Sequence, residues 1–322
     1  MSGTDGGSVA AADLPDFASV RAAAARIAPW VHRTPVLTSR TIDELAGGPV
    51  HFKCEPFQRS GSFKLRGALA AVTAQLDAAR RSGVVTHSSG NHGAALALAG
   101  RLLGVTVTVV VPEGAAACKR AAVARYGARL VDCGPTLAER EATLAELQAG
   151  SGALFVPPYD HPEVIAGQGT AALELIQDAP AVRTVWVPVG GGGIAAGTVL
   201  ACRAAERAVH GGEPALADDA ARSLASGERQ PPLPPRTVAD GLRTALGVRN
   251  FAILRDYGLP VTVVSEDQIL AAQRLIWQCL KVLAEPSSAV PLAALLAWRA
   301  EHGPDGVAGI ILTGGNVDLP AL

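Results

Sequence analysis

The sequence predicts a two-domain α/β fold built on open parallel sheets, and three observations lead to this prediction. Short apolar runs such as residues 105–111 and 184–189 have the composition of buried parallel strands. Segments with apolar residues three or four positions apart, typical of helices, follow most of these runs. Polar or glycine-rich turns separate the two, and 322 residues suffice for about two domains. This alternation indicates parallel sheets with helices on both faces.

The individual elements follow from the same two periodicities. Helices, the first of them alanine-rich and ended by Pro29, are predicted in chain order over residues 17–27, 65–81, 94–103, 115–126, 136–148, 164–176, 194–208, 268–283 and 291–300. Strands are predicted over residues 50–54, 83–87, 105–111, 128–131, 154–156, 184–189, 261–264 and 309–312. Gly167 and Gly169 are expected to interrupt their helix, residues 206–212 give no firm strand, and the proline-rich residues 230–235 predict a loop.

Composition excludes several classes of protein. The chain carries 28 basic and 29 acidic residues and only 4% aromatics, so no nucleic-acid partner is expected. No apolar run reaches the roughly 18 to 20 residues that a membrane span needs. Five scattered cysteines, never closer than fifteen positions, favour reduced thiols in a cytoplasmic protein and no zinc site. The first twelve residues contain no basic residue, so residues 1–16 are expected to be a disordered lead and not a targeting peptide.

Lys64 stands at an electrostatically unfavourable place. Ser60 or Ser62 could cap the helix that follows, which would put Lys64 in the first turn, where the helix dipole is positive. With Arg66 close by, its ammonium is expected to lose a proton more easily than that of a solvated lysine. A neutral amine is the nucleophile that a Schiff base with an aldehyde cofactor requires. The alternative is a lysine that simply reaches back to water.

Four consecutive glycines, Gly190, Gly191, Gly192 and Gly193, lie between a predicted buried strand and a helix. Backbone N–H groups at a helix N-terminus, with no side chains in the way, predict a phosphate site. A dinucleotide is one alternative, because Gly190, Gly192 and Ala195 meet the loosest form of that fingerprint and Glu213 stands about twenty residues on. That alternative leaves Lys64 and the polar turn at residues 88–93 without a role. A lysine, a phosphate cradle and a polar turn fit pyridoxal phosphate better.

Five motifs in order make the sequence resemble the fold type II pyridoxal-phosphate enzymes of the threonine/serine dehydratase and serine racemase family. They lie at residues 62–68, 88–93, 164–170, 190–193 and 313–316. The resemblance covers the chain from about residue 17 onward. It implies a tryptophan synthase beta-like fold with the cofactor between two domains. The large domain would comprise residues 17–82 and 161–322, and the small domain residues 83–160.

The resemblance also implies roles for individual residues. Lys64 would form the Schiff base with Phe63 packed near the ring, and Thr313 would meet the pyridine nitrogen. The other expected cofactor contacts are Asn91 to the ring 3-oxygen and Gly190, Gly191, Gly192 and Gly193 to the phosphate. The expected substrate contacts are Ser88, Ser89, Asn91, His92 and Arg140. Glu285 matches an acid near the ring, and Glu213, Ala217 and Asp219 match a divalent-cation site suited to Mg²⁺ or Ca²⁺.

Three functions stay open on these residues. The first is a lyase in which Lys64 removes the α-proton of L-threonine or L-serine, water leaves, and a 2-oxo acid and ammonia result. The second is a racemase or dehydratase of serine or 3-hydroxyaspartate, with Lys64 and Ser89 as opposed acid/base groups. The third is a binding protein that keeps the fold without turnover. The expected partner is a small amino acid, and the expected assembly is a homodimer.

Overall fold

Two separate sheets organise the chain in the computed structural model, which describes residues 14–88, 90–114, 117–234 and 236–318. Their strands are β1 Val36–Leu37, β2 Val50–Cys54, β3 Val84–Thr86, β4 Val107–Pro112, β5 Arg129–Cys133, β6 Leu154–Phe155, β7 Thr184–Pro188, β8 Ala208–Pro214, β9 Val261–Val264 and β10 Ala308–Leu312. One sheet has the order β1-β2-β10-β7-β8-β9 and the other the order β5-β4-β3-β6. Every strand pair is parallel except β1 with β2. The predicted α/β class is therefore confirmed.

Helices cover both faces of each sheet. They are α1 Phe17–Ile27, α2 Arg40–Leu45, α3 Lys64–Ala74, α4 Leu76–Ser82, α5 Asn91–Leu103, α6 Ala117–Ala124, α7 Leu137–Ser151, α8 Pro162–Asp178, α9 Gly193–Arg203, α10 Asp219–Ser226, α11 Val248–Tyr257, α12 Glu266–Leu275 and α13 Pro286–His302. A π-helical turn, Ile276–Leu280, follows α12. Strands β7 and β10 are buried along their whole length, as expected for central strands covered on both faces.

Several predicted boundaries differ from the observed ones. The helix expected over residues 65–81 is two helices separated at Gln75, and α8 runs uninterrupted through its glycines. Strand β8 forms where no firm strand was expected. Its Gly211 and Gly212 stand at positions where a side chain would meet Val189 or Ala294, respectively, at under 3 Å. Close packing, and not flexibility, is therefore the reason for these glycines.

The glycines of the 164–170 motif allow three helices to cross at short distance. A side chain on Gly167 of α8 would collide with the backbone of Arg66 and Gly67 in α3. A side chain on Gly169 would likewise meet the Gly197 carbonyl of α9 at 2.6 Å. Between them, Gln168 accepts a hydrogen bond from the Gly67 N–H at 3.2 Å. Helix α8 thereby fixes the spacing between the helix that begins at Lys64 and the helix that follows the four glycines.

A buried ionic network anchors α3 from its other side. The Arg66 guanidinium, fully buried, makes two 2.8 Å hydrogen bonds to Glu55 and two to Glu174. Lys53, also fully buried, lies 2.7 Å from Glu174 and 3.7 Å from Asp178. Burial alone would raise the pKa of Glu174, but the hydrogen bonds and charge of Arg66 hold it below its usual value. The network joins β2, α3 and α8 with its charges paired.

Of the expected N-terminal lead, residues 1–13 lie outside the described residues. Leu14 packs against the core of the six-stranded sheet, and Asp16 caps α1 by accepting a hydrogen bond from the Ser19 N–H at 2.8 Å. Among the described residues, Cys54, Cys133, Cys202 and Cys279 form no disulfide bond. Across the described ranges, no helix has the length and apolarity required to span a bilayer.

Candidate functional site

The site is built where the carboxyl ends of parallel strands meet, the usual ligand position in open α/β sheets. Thr313 follows β10, and its carbonyl accepts a hydrogen bond from the Phe63 N–H at 2.9 Å. An isolated bridge pairs Ser62 with Gly314. Strand β10 lies next to β7, which leads into the four glycines. The lysine motif and the last motif are therefore in direct contact, and the glycine loop follows the neighbouring strand.

Lys64 is the first residue of α3, and its amine is held at the centre of this region. The Nζ atom donates a hydrogen bond to the Pro158 carbonyl at 2.9 Å and lies 5.0 Å from the centre of the Phe63 ring. Burial lowers the pKa of Lys64 to about 8, although the Glu285 carboxylate acts in the opposite direction. A larger share of these amines is then unprotonated at neutral pH than for an ordinary lysine.

The causes expected for this low pKa were only partly right. The N-cap of α3 is Phe63 and makes no side-chain capping bond, because Ser60 donates to the Ser62 carbonyl instead. Arg66 is paired with Glu55 and Glu174, so its charge is neutralised and does not lower the pKa of Lys64. Desolvation, which the sequence does not reveal, supplies the effect.

The four glycines form a buried loop with unused N–H groups. Within the described residues, the N–H groups of residues 190–193 donate no hydrogen bond to another protein atom. Gly192 has a φ of +88°, which glycine adopts without strain, and it caps α9. Buried N–H groups at the start of an eleven-residue helix form an anion cradle.

One loop segment connects the lysine to this cradle. Pro158 accepts the hydrogen bond from Lys64, and the next residue, Tyr159, packs its ring against Gly191, where a side chain would come within 2.5 Å. Asp160 then caps α11, accepting hydrogen bonds from Val248 and Arg249 at 2.9 and 3.0 Å. Burial raises the pKa of Tyr159, so its hydroxyl stays protonated at neutral pH.

Asn91, the first residue of α5, joins the two sheets at the site. Its side-chain NH₂ group lies 3.0 Å from both carboxylate oxygens of Glu285. Its side-chain oxygen accepts a hydrogen bond from Asn316 at 2.8 Å, and Asn316 also donates to the Ser60 carbonyl. The structure thus places the predicted Asn91 beside Glu285, close to Lys64.

The polar turn before α5 is described except for Ser89, which lies outside the described residues. Gly93 is required because a side chain there would collide with the Ser88 carbonyl. His92 is buried, and burial together with the nearby Lys64 charge lowers its pKa to about 3. Its Nε2–H donates to the Val156 carbonyl at 2.9 Å, which leaves Nδ1 as an acceptor. A carboxylate contact would therefore have to come from another group of the turn.

Thr313 and Ser288 form a buried pair of hydroxyl groups at the end of β10. Their oxygens are 3.0 Å apart, and Ser288 also bonds to the Gly314 carbonyl and N–H at 2.7 Å each. If Ser288 donates to the Gly314 carbonyl, Thr313 donates to Ser288; if Ser288 donates to Thr313, the hydroxyl hydrogen of Thr313 is available to another acceptor. A buried donor of this kind suits a neutral ring nitrogen.

Arg140 and the expected cation ligands make no described contact with Lys64. Arg140 is in α7, where its charge lowers the pKa of His87 in addition to the larger effect of burial, and no described contact joins it to the lysine. The Glu213 carboxylate lies at the start of α10, where it accepts hydrogen bonds from the N–H groups of Ala220 and Ala221 at 2.9 and 2.7 Å. Both carboxylate oxygens thus accept hydrogen bonds from the first turn of α10.

The expected cation ligands surround one end of α10. Burial raises the pKa of Glu213 to about 8, and Asp219 acts in the same direction. Asp219 accepts a hydrogen bond from the Leu246 N–H at 2.9 Å, and Ala217 is buried beside them. In the part of the chain that is described, no three acidic, histidine or cysteine side chains are grouped as a metal site. The expected site has only two acidic side chains, Glu213 and Asp219, and its third ligand would be the backbone carbonyl of Ala217.

Sequence reasoning missed two groups of the site. The Pro158 carbonyl holds the lysine amine, and Asn250 donates to the Gly191 carbonyl at 2.6 Å. The first is a backbone atom in a segment for which the sequence predicted neither a helix nor a strand. The second lies in α11, a helix that the sequence analysis did not predict, so no pattern pointed to it.

Comparisons with known proteins agree with this geometry. A family model described as pyridoxal-phosphate dependent enzyme matches residues 27–314. The crystal structure of serine racemase from Dictyostelium discoideum has a TM-score of 0.91 and 42% identity, covering 95% of this chain and 99% of that one. The crystal structure of the T.th. threonine deaminase gives 0.88 and 42%, covering 95% and 100%. The beta-hydroxyaspartate dehydratase of Paracoccus denitrificans is 42% identical over 315 residues, which are 96% of this chain and 98% of that protein.

Proposed function

Because the chain belongs to the pyridoxal-phosphate dependent enzyme family, we propose that it eliminates water from a β-hydroxy amino acid. The products are a 2-oxo acid and ammonia, and L-threonine and L-serine are the first candidate substrates. The observation that carries the proposal is the Lys64 amine, which donates to the Pro158 carbonyl while the next residue, Tyr159, packs against the glycine loop.

The described residues fit the cofactor. When bound, pyridoxal phosphate supplies an aldehyde for covalent attachment to an amine and a ring that withdraws electrons from the substrate α-carbon. Lys64 would hold the aldehyde, and the unused N–H groups of residues 190–193 would hold the phosphate. Thr313 would donate to the ring nitrogen, Phe63 would pack near the ring, and Asn91 would contact the ring 3-oxygen.

Lys64 also acts as the base in this proposal. Once the substrate amine has displaced it from the aldehyde, the Lys64 amine would remove the α-proton of the substrate. The β-hydroxyl would take up a proton and leave as water, and the released enamine would hydrolyse to the 2-oxo acid and ammonia. Ser88, Ser89 and the start of α5 would hold the substrate carboxylate, with Arg140 as a further contact. The neutral His92 ring offers only an acceptor at Nδ1, so it would contact a donor group of the substrate and not the carboxylate.

Racemisation of serine or a related amino acid is the second candidate. It is favoured by the similarity to the Dictyostelium protein, which is named serine racemase. It requires a second acid/base group on the side of the substrate opposite Lys64, and Ser89 is our candidate for that group. The Paracoccus relative adds 3-hydroxyaspartate to the substrates worth testing.

Replacing Ser89 by alanine separates the two candidates. A lyase needs only Lys64 as its base, so elimination from the L substrate is expected to fall less than about tenfold. Exchange of the α-proton of the D enantiomer is expected to fall by roughly a hundredfold or more if Ser89 is the opposite base. The measurement is 2-oxo acid formation and deuterium incorporation for both enantiomers of serine, threonine and 3-hydroxyaspartate.

The conservative variant Ser89→Thr, which keeps a hydroxyl, serves as the control and is expected to recover part of the exchange. Equal loss from both enantiomers in Ser89→Ala would argue against the two-base arrangement. If the wild-type protein with pyridoxal phosphate forms neither 2-oxo acid nor the opposite enantiomer from any of these substrates, the proposed function is wrong.

A divalent cation at Glu213, Ala217 and Asp219 is a further part of the proposal. A buried carboxylate with another acid nearby and hard oxygen donors suits Mg²⁺ or Ca²⁺. We expect millimolar Mg²⁺ to raise the thermal midpoint of the EDTA-treated protein, by the usual linkage between binding and stability. Glu213→Gln should lose this response while keeping the carboxamide oxygen. An identical midpoint with and without either cation would contradict the assignment.

We also propose the domain division, assembly and location that the sequence suggested. Residues 83–160 would form the small domain and residues 17–82 and 161–322 the large one, supported by two sheets that share no strand.

Phe57 and Leu283, exposed by 48% and 40%, provide apolar surface for a homodimer. Light scattering at micromolar concentration tests the dimer, and a monomer mass would exclude it. A cytoplasmic location is supported by the free thiols and is tested by cell fractionation.

A further inference from the structure

Asn250 lies directly behind the glycine loop and is fully buried. Its side-chain NH₂ group donates to the Gly191 carbonyl at 2.6 Å, and a side chain on Gly192 would come within 2.7 Å of the Asn250 Cβ. The Gly247 N–H donates to the same Gly191 carbonyl at 3.1 Å. Two donors from one end of α11 therefore hold a single carbonyl of the loop.

The direction of that carbonyl determines where the next N–H group points. In a trans peptide the C=O of one residue and the N–H of the following residue point in opposite directions. No peptide bond in the described chain is cis. Because the Gly191 carbonyl points at Asn250, the Gly192 N–H points away from α11. That N–H is one of the loop donors without a protein partner among the described residues.

We propose that Asn250 is a positioning residue that orients the Gly191–Gly192 peptide, so that the Gly192 N–H is aimed at the cofactor phosphate. The inference rests on the proposed role of the glycine loop in the function above. A glycine peptide has an unusually broad range of conformations, and Gly192 already has a positive φ. An external donor is what restricts such a peptide to one orientation before an anion binds.

The amide of Asn250 is suited to this task by its own surroundings. Its side-chain oxygen has no hydrogen-bond partner in the described chain, whereas its NH₂ group bonds to the Gly191 carbonyl and approaches the Tyr159 carbonyl at 3.5 Å. Both neighbours are acceptors, so only a donor satisfies this position. Helix α11, which carries Asn250, is itself capped by Asp160 from the segment that holds Lys64.

The test compares two ligands that differ only in the phosphate. Apoenzyme of the wild type and of Asn250→Leu is titrated with pyridoxal phosphate and with pyridoxal, and binding is followed by absorbance and protein fluorescence. The dissociation constant for pyridoxal phosphate is expected to rise about tenfold, the effect of losing one well-oriented hydrogen bond to an anion. The constant for pyridoxal should change less than about twofold, because that ligand makes no use of the loop.

Thr198→Val provides the matched control. Thr198 is fully buried in α9, and its hydroxyl has no partner in the described part of the chain, so it resembles Asn250 in burial but does not touch the loop. We expect both dissociation constants to stay as in the wild type. If Asn250→Leu fails to fold, Asn250→Ala removes the same donor without new bulk, and the thermal midpoint of each apoenzyme reports folding separately.

Two results would overturn the inference while leaving the proposed function intact. The first is unchanged binding of pyridoxal phosphate to both Asn250 variants. The second is an equal loss of affinity for the two ligands, which would indicate a general disturbance of the site. If the wild-type apoenzyme binds neither ligand, the proposed function itself fails, so the two failures are distinguishable.

Discussion

Replacing Lys64 by alanine is expected to reduce turnover of every substrate by at least roughly a thousandfold, because one residue supplies both the covalent attachment and the base. Burial lowers the pKa of the Lys64 amine to about 8. The visible absorbance of the bound aldehyde should disappear at the same time. Lys64→Arg keeps the charge but not the nucleophile, and it should be as inactive. Steady-state kinetics and absorbance spectra of the purified variants provide the measurement.

Lys281 offers a matched control for this experiment. It is an exposed lysine with a φ of +58°, a conformation that asparagine tolerates, so Lys281→Asn should fold normally. We expect its turnover to lie within about twofold of the wild type. If Lys64→Ala kept more than a tenth of the wild-type turnover, the assignment of the base and the anchor would be wrong. Loss of the absorbance with turnover retained would separate those two roles.

The parts of the site that the sequence predicted are those fixed by short segments of chain. The position of Lys64 at a helix start and the four glycines between a strand and a helix follow from patterns only a few residues long. Parallel strands then bring such segments together, because their carboxyl ends lie at one edge of the sheet. Family resemblance supplied the partners that lie far apart in sequence, such as Asn91 and Thr313.

The parts that could not be predicted depend on packing between distant segments. Burial, and not Arg66, lowers the pKa of Lys64, and burial is a property of the folded chain. Strand β8 contains Gly211 and Gly212, and the low strand propensity of glycine argues against a strand there. The reason for the glycines is their close contact with a neighbouring strand and helix, which only the folded chain shows. Asn250 bonds to a backbone carbonyl 59 residues away, an interaction without any local pattern.

Arg66→Met is expected to cause the largest loss of stability among single substitutions at the ionic network. Arg66 and Glu55 are both fully buried and joined by two hydrogen bonds of 2.8 Å. Removing the Arg66 guanidinium leaves the Glu55 carboxylate in the interior without a paired charge. Its remaining described hydrogen-bond donor is then the Thr34 hydroxyl. Breaking a buried pair in this way typically costs about 3 to 5 kcal/mol of the free energy of unfolding. Urea denaturation of the apoenzyme, followed by circular dichroism, measures the difference.

The double variant Arg66→Met/Glu55→Gln shows whether the cost comes from the unpaired charge. Glutamine keeps the shape and accepts the Thr34 hydrogen bond without a charge, so the double variant should be more stable than Arg66→Met alone. Arg203→Met is the control, because the Arg203–Asp256 pair is mostly exposed and such pairs contribute little. A double variant no more stable than Arg66→Met would mean that the unpaired Glu55 charge is not the source of the cost. The loss would then come from the removed hydrogen bonds of the guanidinium to Glu55 and Glu174.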